Sequence, residues 1–546
     1  MVRTGGTRRG REAYFDVNAH DSEGSFGPVP LSPIAYLDRA AAAFADRVAV
    51  VGDDHRYTYR ELAHRCELLA GALLARGLQP GDVVSVLAPN TNVLLESHFG
   101  VPLGGAVLNA LNTRLSGGEL AYICAHAGAR LLIVDHELAH HVDAIRAESP
   151  DIDVVVAAGG ADEYEPMLAA AEPARLTVDD ELALLALNYT SGTTGRPKGV
   201  MYQHRGAYLQ AAAMVAQAGL GPGSVFLWTL PMFHCNGWCF PWAVTATGGT
   251  HVELRRVEPE RVWRAIRSEG VTHFNAAPTV LTSLGYGAWA EEGPAPRPIR
   301  VMTGGSPPSP TLLARMDELD FHVTHLYGLT ETYGPAVICD WQPEWDELPA
   351  PQRAVLNARQ GVTNVIGMPV RVVDEHGTDV AADGEQMGEV VLRGNNVMAG
   401  YFRDPEATAA ASIGGWFRTG DVGVMHPDGY IELRDRSKDV IISGGENIAS
   451  IEVEQALASH PSVLECAVVA APDERWGEVP VAFVTLHPGA EASSEELVEH
   501  VRARIARFKS PKRVVFCDLP KTATGKIQKF VLRDDLWTDA GRRIGG

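Results

Sequence analysis

The chain reads as an α/β protein with a smaller α+β domain at its C-terminal end, and three observations predict this. Strand-like and helix-like segments alternate through the first half, which implies right-handed βαβ units and a largely parallel sheet. From about Gly388 the texture changes to alternating segments of antiparallel type. The length, 546 residues at 46% hydrophobic and 21% charged, exceeds what one core organises and calls for several packed units.

The elements follow in order. Thr58-x-x-Glu61 is a capping box, followed by apolar Leu62, Cys66, Leu69 and Leu73 on one helical face, with Gly77 as the stop. Val83 to Leu87 is a short apolar strand, and Ser116-x-x-Glu119 opens another helix. Leu131 to Val134 and Val154 to Val156 read as buried strands. Leu182 to Leu187 is an apolar run, and a helix is expected from near Tyr202. Farther on, Glu389 to Leu392 and Tyr430 to Leu433 suggest an antiparallel pair. A charged stretch, 434–439, then marks a domain boundary. Beyond it come a helix (Ile451 to Ala458), strands (Ala467 to Ala470 and Ala482 to Leu486), a helix (Ser494 to Ala506) and a basic tail. The expected division is a flexible leader (1–29), an N-terminal domain (30–434), a hinge (435–438) and a C-terminal domain (439–546).

Composition excludes some functions. A net charge of −21 argues against binding nucleic acid or anionic lipid, which needs clustered Lys and Arg. One basic cluster, residues 3–11, lacks the apolar run of a signal peptide. Seven scattered cysteines point to reduced thiols in a cytoplasmic protein. The segment from Phe226 to Gly248 is long enough for a membrane span, but Pro231, Asn236, Gly237 and Pro241 break it. It reads instead as buried loop and helix lining a pocket, so no membrane partner is expected.

Four segments carry chemistry. YTSGTTGRPKG (189–199) packs four Ser/Thr hydroxyls, three glycines and Lys198, which suits a triphosphate; a flexible Gly/Thr turn is the alternative, and the pattern is not a Walker A loop. Glu331 follows a strand-like run, where α/β sheets bind ligands and a carboxylate can hold Mg²⁺; a merely solvated carboxylate is the alternative. Asp421, in the turn GWFRTGD (415–421), suits either an Asx-turn or the two hydroxyls of a ribose. Lys526, in PKTATGK (520–526), has by spacing alone no status beyond a solvated lysine.

Taken in order, YTSGTTGRPKG, TGGSPP (303–308), YGLTET (327–332), WFRTGD (416–421), DRSKD (435–439), SGGENI (443–448) and PKTATGK resemble the adenylate-forming acyl-CoA synthetases, from about residue 30 to about 535. FHCNGWCF (233–240) and YGPAVICDWQPEWDELP (333–349) are similar to acyl-activating enzymes for short-chain, medium-chain or aromatic acids. The resemblance implies a small β-barrel-like part and a C-terminal domain that moves between two half-reactions. A carboxylate attacks the α-phosphorus of ATP to give acyl-AMP and pyrophosphate, and CoA then displaces AMP. It implies that Thr190, Ser191, Gly192, Thr193, Thr194 and Lys198 hold the β/γ-phosphates, with Gly304, Gly305, Ser306 and Tyr327 around the adenine. Thr330 would contact the α-phosphate, Glu331 would hold Mg²⁺, and Asp421 and Arg436 would bind the ribose. Lys526 would bridge the acyl carboxylate and α-phosphate. Lys438 matches the hinge, Gly445 (with Gly444) borders the thiol tunnel, His234 matches its gate, and Trp238 and Gly328 fall in the acyl pocket.

Alternatives remain open at this stage. The acceptor could be a carrier-protein thiol, or the acid an oxyacid such as nitrite, used in secondary metabolism to diazotise an aromatic amine, because the motifs read ATP and not the acid. A luciferase-like oxygenase and a non-catalytic nucleotide-binding protein are further readings. Cys235 and Cys239 read as buried thiols and not metal ligands. Trp238 and Trp242, at i and i+4, are core or pocket wall. A homodimer is the default assembly.

Overall fold

The computed structural model describes residues 27, 29–190, 196–305, 308–436, 439–443, 446–473, 475–522 and 527–538. Strands between residues 48 and 363 build two large sheets. A six-stranded sheet has the order Asp153–Ala157, Ala129–Asp135, Val83–Leu87, Val107–Ala110, Leu184–Tyr189, Gly199–Gln203. All neighbours are parallel except the last pair, in which Tyr189 lies opposite Gly199. A nine-stranded sheet has a parallel centre, in the order Phe321–Leu329, Ile299–Thr303, His273–Ala276, Val225–Leu227, Thr250–Val252, Val48–Val51. Antiparallel strands finish both of its edges.

Local chemistry sets these elements. Thr58 and Ser116 both cap as expected: each hydroxyl accepts from the amide three residues on, and Glu61 and Glu119 return the bond to the cap backbone. The helix Asn92–Leu103 is buried along nearly its whole length among the elements between the sheets. It carries Glu96 inward, and that cost is offset by Arg65 at 2.6 Å and the Tyr164 hydroxyl at 2.7 Å.

An antiparallel five-stranded sheet follows, the half-barrel part, in which Trp416–Met425 lies between Gly388–Leu392 and Ile431–Arg436. The segments around 389–392 and 430–433 are therefore not partners of each other, as their alternation suggested; both pair with the intervening strand. The last sheet is the long hairpin Val463–Asp473 and Gly477–Leu486, flanked by Ile441–Ser443 and Arg513–Phe516, with helices Ser450–Ala458 and Ser494–Arg502 on it. The latter helix ends before the expected Ala506. Likewise, the helix expected from Tyr202 begins at His204, because Tyr202 still belongs to the strand Gly199–Gln203. Among the described residues no helix is long and apolar enough to cross a membrane. The basic leader lies outside the described residues.

Candidate active site

The carboxyl ends of both large sheets converge, where open α/β sheets bind ligands. The strand Leu184–Tyr189 leads to Thr190, Ile299–Thr303 to Gly304 and Gly305, and Phe321–Leu329 to the turn Thr330–Thr332. Thr190 and Lys198 close the neck of the hydroxyl-rich loop: Thr190 N donates to Lys198 O at 3.0 Å, and Lys198 N to Thr190 Oγ1 at 3.4 Å. Ser191, Gly192, Thr193 and Thr194, the body of that loop, lie outside the described residues, as do Ser306, Lys438, Gly445 and Lys526.

Thr330 and Glu331 are held from several directions. Tyr202 Oη donates to Thr330 O at 2.6 Å, and Met398 N to Glu331 O at 2.8 Å. The Tyr401 hydroxyl donates to Glu331 Oε1 at 2.8 Å. Lys198 Nζ lies 4.8 Å from the centre of the Tyr401 ring, so the lysine and the carboxylate meet on one phenol. Among the described residues no three His, Cys, Asp or Glu side chains form a metal cluster. A single carboxylate near a lysine still fits Mg²⁺, which is held by one or two carboxylates together with substrate phosphates.

Asp421 is buried in mid-strand, not in the tight turn expected of it. Its Oδ2 accepts the Tyr327 hydroxyl at 2.6 Å, and its register partner is Arg436, of which the backbone alone is described. Tyr327 and Asp421 are thus one unit on the border of the large sheet and the half-barrel.

Among the described residues, the segment Cys235–Cys239 has the least ordinary backbone. Cys235, Asn236, Gly237, Trp238 and Cys239 have φ of 50°, 48°, 58°, 58° and 64°, a full left-handed turn. L-residues with side chains visit this region singly, at roughly 1–2 kcal/mol each. The i, i+4 relation of Trp238 and Trp242 therefore has no helical meaning. Trp242 donates to His98 O in the core at 3.1 Å, while Trp238 packs on Gly334. A Cβ on Gly334 would come within 2.8 Å of Trp238, and one on Gly328 within 1.9 Å of Gly334 O, so this wall closes only with glycine at both positions. The turn is pinned by the Asn188–Asn236 amide pair at 2.6 Å. Cys235 Sγ lies 3.6 Å from Thr330 Oγ1 and 3.8 Å from His234 Nε2, which ties the gate candidate to the turn Thr330–Thr332. Burial pushes the Cys235 thiol up to about 12, against hydrogen bonds with Thr330 and Tyr202 that lower it.

Sequence reasoning missed Tyr202, Tyr401, Asn188 and Asn236. Each acts from a separate stretch of chain, and nothing in its local spacing points to a partner; the tight Gly400-Tyr401 pairing beside Val200 exists only in three dimensions.

Fold and site together define an adenylate-forming enzyme. The chain belongs to the AMP-binding enzyme family: that family's model matches residues 37–402, and the AMP-binding enzyme C-terminal domain matches 452–526. It is 46% identical over 535 residues to an acetate–CoA ligase of Humulus lupulus, covering 92% of this chain and 94% of that protein. It is 45% identical over 529 residues to a 2-methylpropanoate–CoA ligase of the same plant, covering 92% and 95%. Among solved structures, the anthranilate CoA ligase AuaEII in complex with anthranoyl-AMP superposes with a TM-score of 0.84 at 26% identity, covering 94% of this chain and 99% of that one.

Proposed function

We propose that the chain is an ATP-dependent acid–CoA ligase whose substrate is a short aliphatic acid, linear or branched. The carboxylate oxygen attacks the α-phosphorus as the bond to pyrophosphate breaks; the CoA thiol then attacks the acyl carbon, its proton is lost and AMP leaves. The observation that carries this reading is the meeting of Lys198 and Glu331 on one phenol, at the strand ends that also carry Thr330. Thr190 and Lys198 then take the β/γ-phosphates with Ser191, Gly192, Thr193 and Thr194; Gly304, Gly305, Ser306 and Tyr327 border the adenine; Asp421 and Arg436 take the ribose. Mg²⁺, when bound at Glu331, neutralises phosphate charge. Lys526 supplies positive charge between acyl carboxylate and α-phosphate and leaves when the C-terminal domain turns at Lys438. His234 gates the thiol tunnel bordered by Gly445.

The wall formed by Trp238, Gly334 and Gly328 supports a small acid, as do the names of relatives that act on acetate, butyrate and 2-methylpropanoate. CoA is the acceptor in this reading, in place of a carrier protein or an amine. The seven cysteines are all unpaired, which suits a reducing compartment such as the cytoplasm. The test is pyrophosphate release across linear acids of graded length, branched and aromatic acids, and nitrite, each with and without CoA. Short aliphatic acids with CoA-dependent turnover are expected. Release needing nitrite and an aryl amine would overturn the assignment.

A further inference from the structure

Tyr401 belongs to no motif assigned above, yet it touches two of them. The segment 398–402 runs beside the strand Gly199–Gln203 that leaves the phosphate loop. Phe402 N donates to Gly199 O at 2.7 Å, Met201 N to Gly400 O at 3.0 Å and Ala399 N to Met201 O at 3.1 Å. At its start Met398 N donates to Glu331 O at 2.8 Å, so one short segment is stitched both to the exit of the loop and to the catalytic turn. Between these stitches the Tyr401 hydroxyl reaches Glu331 Oε1 at 2.8 Å and its ring faces Lys198 Nζ at 4.8 Å.

We propose that Tyr401 is a positioning residue of the adenylation step, its hydroxyl aiming the Glu331 carboxylate and its ring seating the Lys198 ammonium. A lysine and a glutamate that contact the same phenol would, without it, be drawn toward each other, which would withdraw both charges from the nucleotide. A neutral O–H donor on one and a π face on the other keep each oriented without cancelling it.

This inference rests on the assignment of Lys198 and Glu331 to nucleotide binding, and the experiment separates the two. Y401F, Y401L, E331Q, K198A and the Y401F/E331Q double variant are compared as full chains. The measurements are ATP–pyrophosphate exchange against Mg²⁺ concentration, calorimetric ATP binding with MgCl₂ or EDTA, conversion of preformed acyl-AMP to acyl-CoA, and thermal melting. Y401F keeps the ring and loses the donor. It should raise the Mg²⁺ concentration for half-maximal exchange by about tenfold, leaving metal-free ATP binding and the second half-reaction at wild-type level. Y401L should in addition weaken metal-free ATP binding, by about threefold. The double variant should be no worse than E331Q alone, the mark of a shared interaction. An unchanged Mg²⁺ profile in Y401F alongside an impaired E331Q would overturn the role of Tyr401 alone. Wild-type exchange in both E331Q and K198A would overturn the nucleotide site beneath it. Parallel loss of both half-reactions and of melting temperature in Y401F and Y401L would make the tyrosine structural and also overturn the proposal.

Discussion

Two turns meet at the candidate active site, and they are held in opposite ways. The turn Thr330–Thr332 continues a regular strand and is fixed by hydrogen bonds from Tyr202, Met398 and Tyr401. The turn Cys235–Cys239 is left-handed over five residues, four of which carry side chains, and for the three other than Asn236 that conformation costs about 1–2 kcal/mol each. The first turn carries groups assigned to ATP, which every acid substrate shares. The second carries Trp238, which is assigned to the part of the site that differs between acids. The contrast teaches that the turn assigned to the common chemistry is positioned by many ordinary bonds, whereas the proposed pocket wall depends on an inverted backbone held by its surroundings.

The comparison breaks most readily where the two turns touch. Gly328→Val would place a Cβ 1.9 Å from Gly334 O, and neither is a flexible side-chain end. A loss of about 3 kcal/mol or more is expected, with exchange activity falling together with melting temperature. A stable, active variant would show that the wall is not closed as described. Glu331→Gln should act on the first turn alone. Exchange at saturating acid should fall about a hundredfold or more while melting temperature stays near that of wild type, since the amide still accepts from Tyr401. An unaltered exchange rate would remove the carboxylate from the nucleotide site.

The same contrast explains what could be read from the sequence. The capping boxes at Thr58 and Ser116, the buried strands and the change of texture after Gly388 are local patterns, and the structure reproduces them. Lys198, Thr330, Glu331 and Asp421 stood out because short motifs carry them. The inverted turn did not, since Asn236-Gly237 favours positive φ at only two of its five positions and nothing local extends it to Cys235, Trp238 and Cys239; the pinning residue Asn188 is 48 positions from Asn236. Tyr401 stayed hidden for the same reason, 70 positions from Glu331. Pairing errors, such as joining 389–392 with 430–433, arose because strand alternation fixes faces and not partners.

A milder variant tests the second turn. Trp238→Ala removes the side chain that packs on Gly334 and leaves the groups assigned to ATP untouched. The ratio of kcat/KM for hexanoate over acetate should rise by about tenfold or more, in line with the worth of a methylene in an apolar pocket. The Mg²⁺ dependence of exchange should not move. A variant that lost acetate activity without gaining on longer acids would mean that Trp238 supports the turn and does not limit the pocket.

The smallest effect concerns the thiols of that turn. Burial pushes Cys235 up to about 12 and raises Cys239 well above the ordinary value, whereas Cys517 is only partly covered and raised less far. A folded-state pKa above the unfolded value means that the neutral thiol is favoured by the fold. The stability it contributes is complete below the unfolded value, near 9, and declines as pH climbs toward the folded one. Between pH 7 and 8 both thiols therefore stay protonated and cost no stability. Iodoacetamide at pH 8, followed by peptide mass spectrometry, should modify Cys517 first and leave Cys235 and Cys239 intact until urea opens the fold. Rapid native labelling of Cys235 would show that the inverted turn opens on its own. The strain it carries would then be released within the folded protein, and the regular turn at Thr330 would be left as the fixed side of the site.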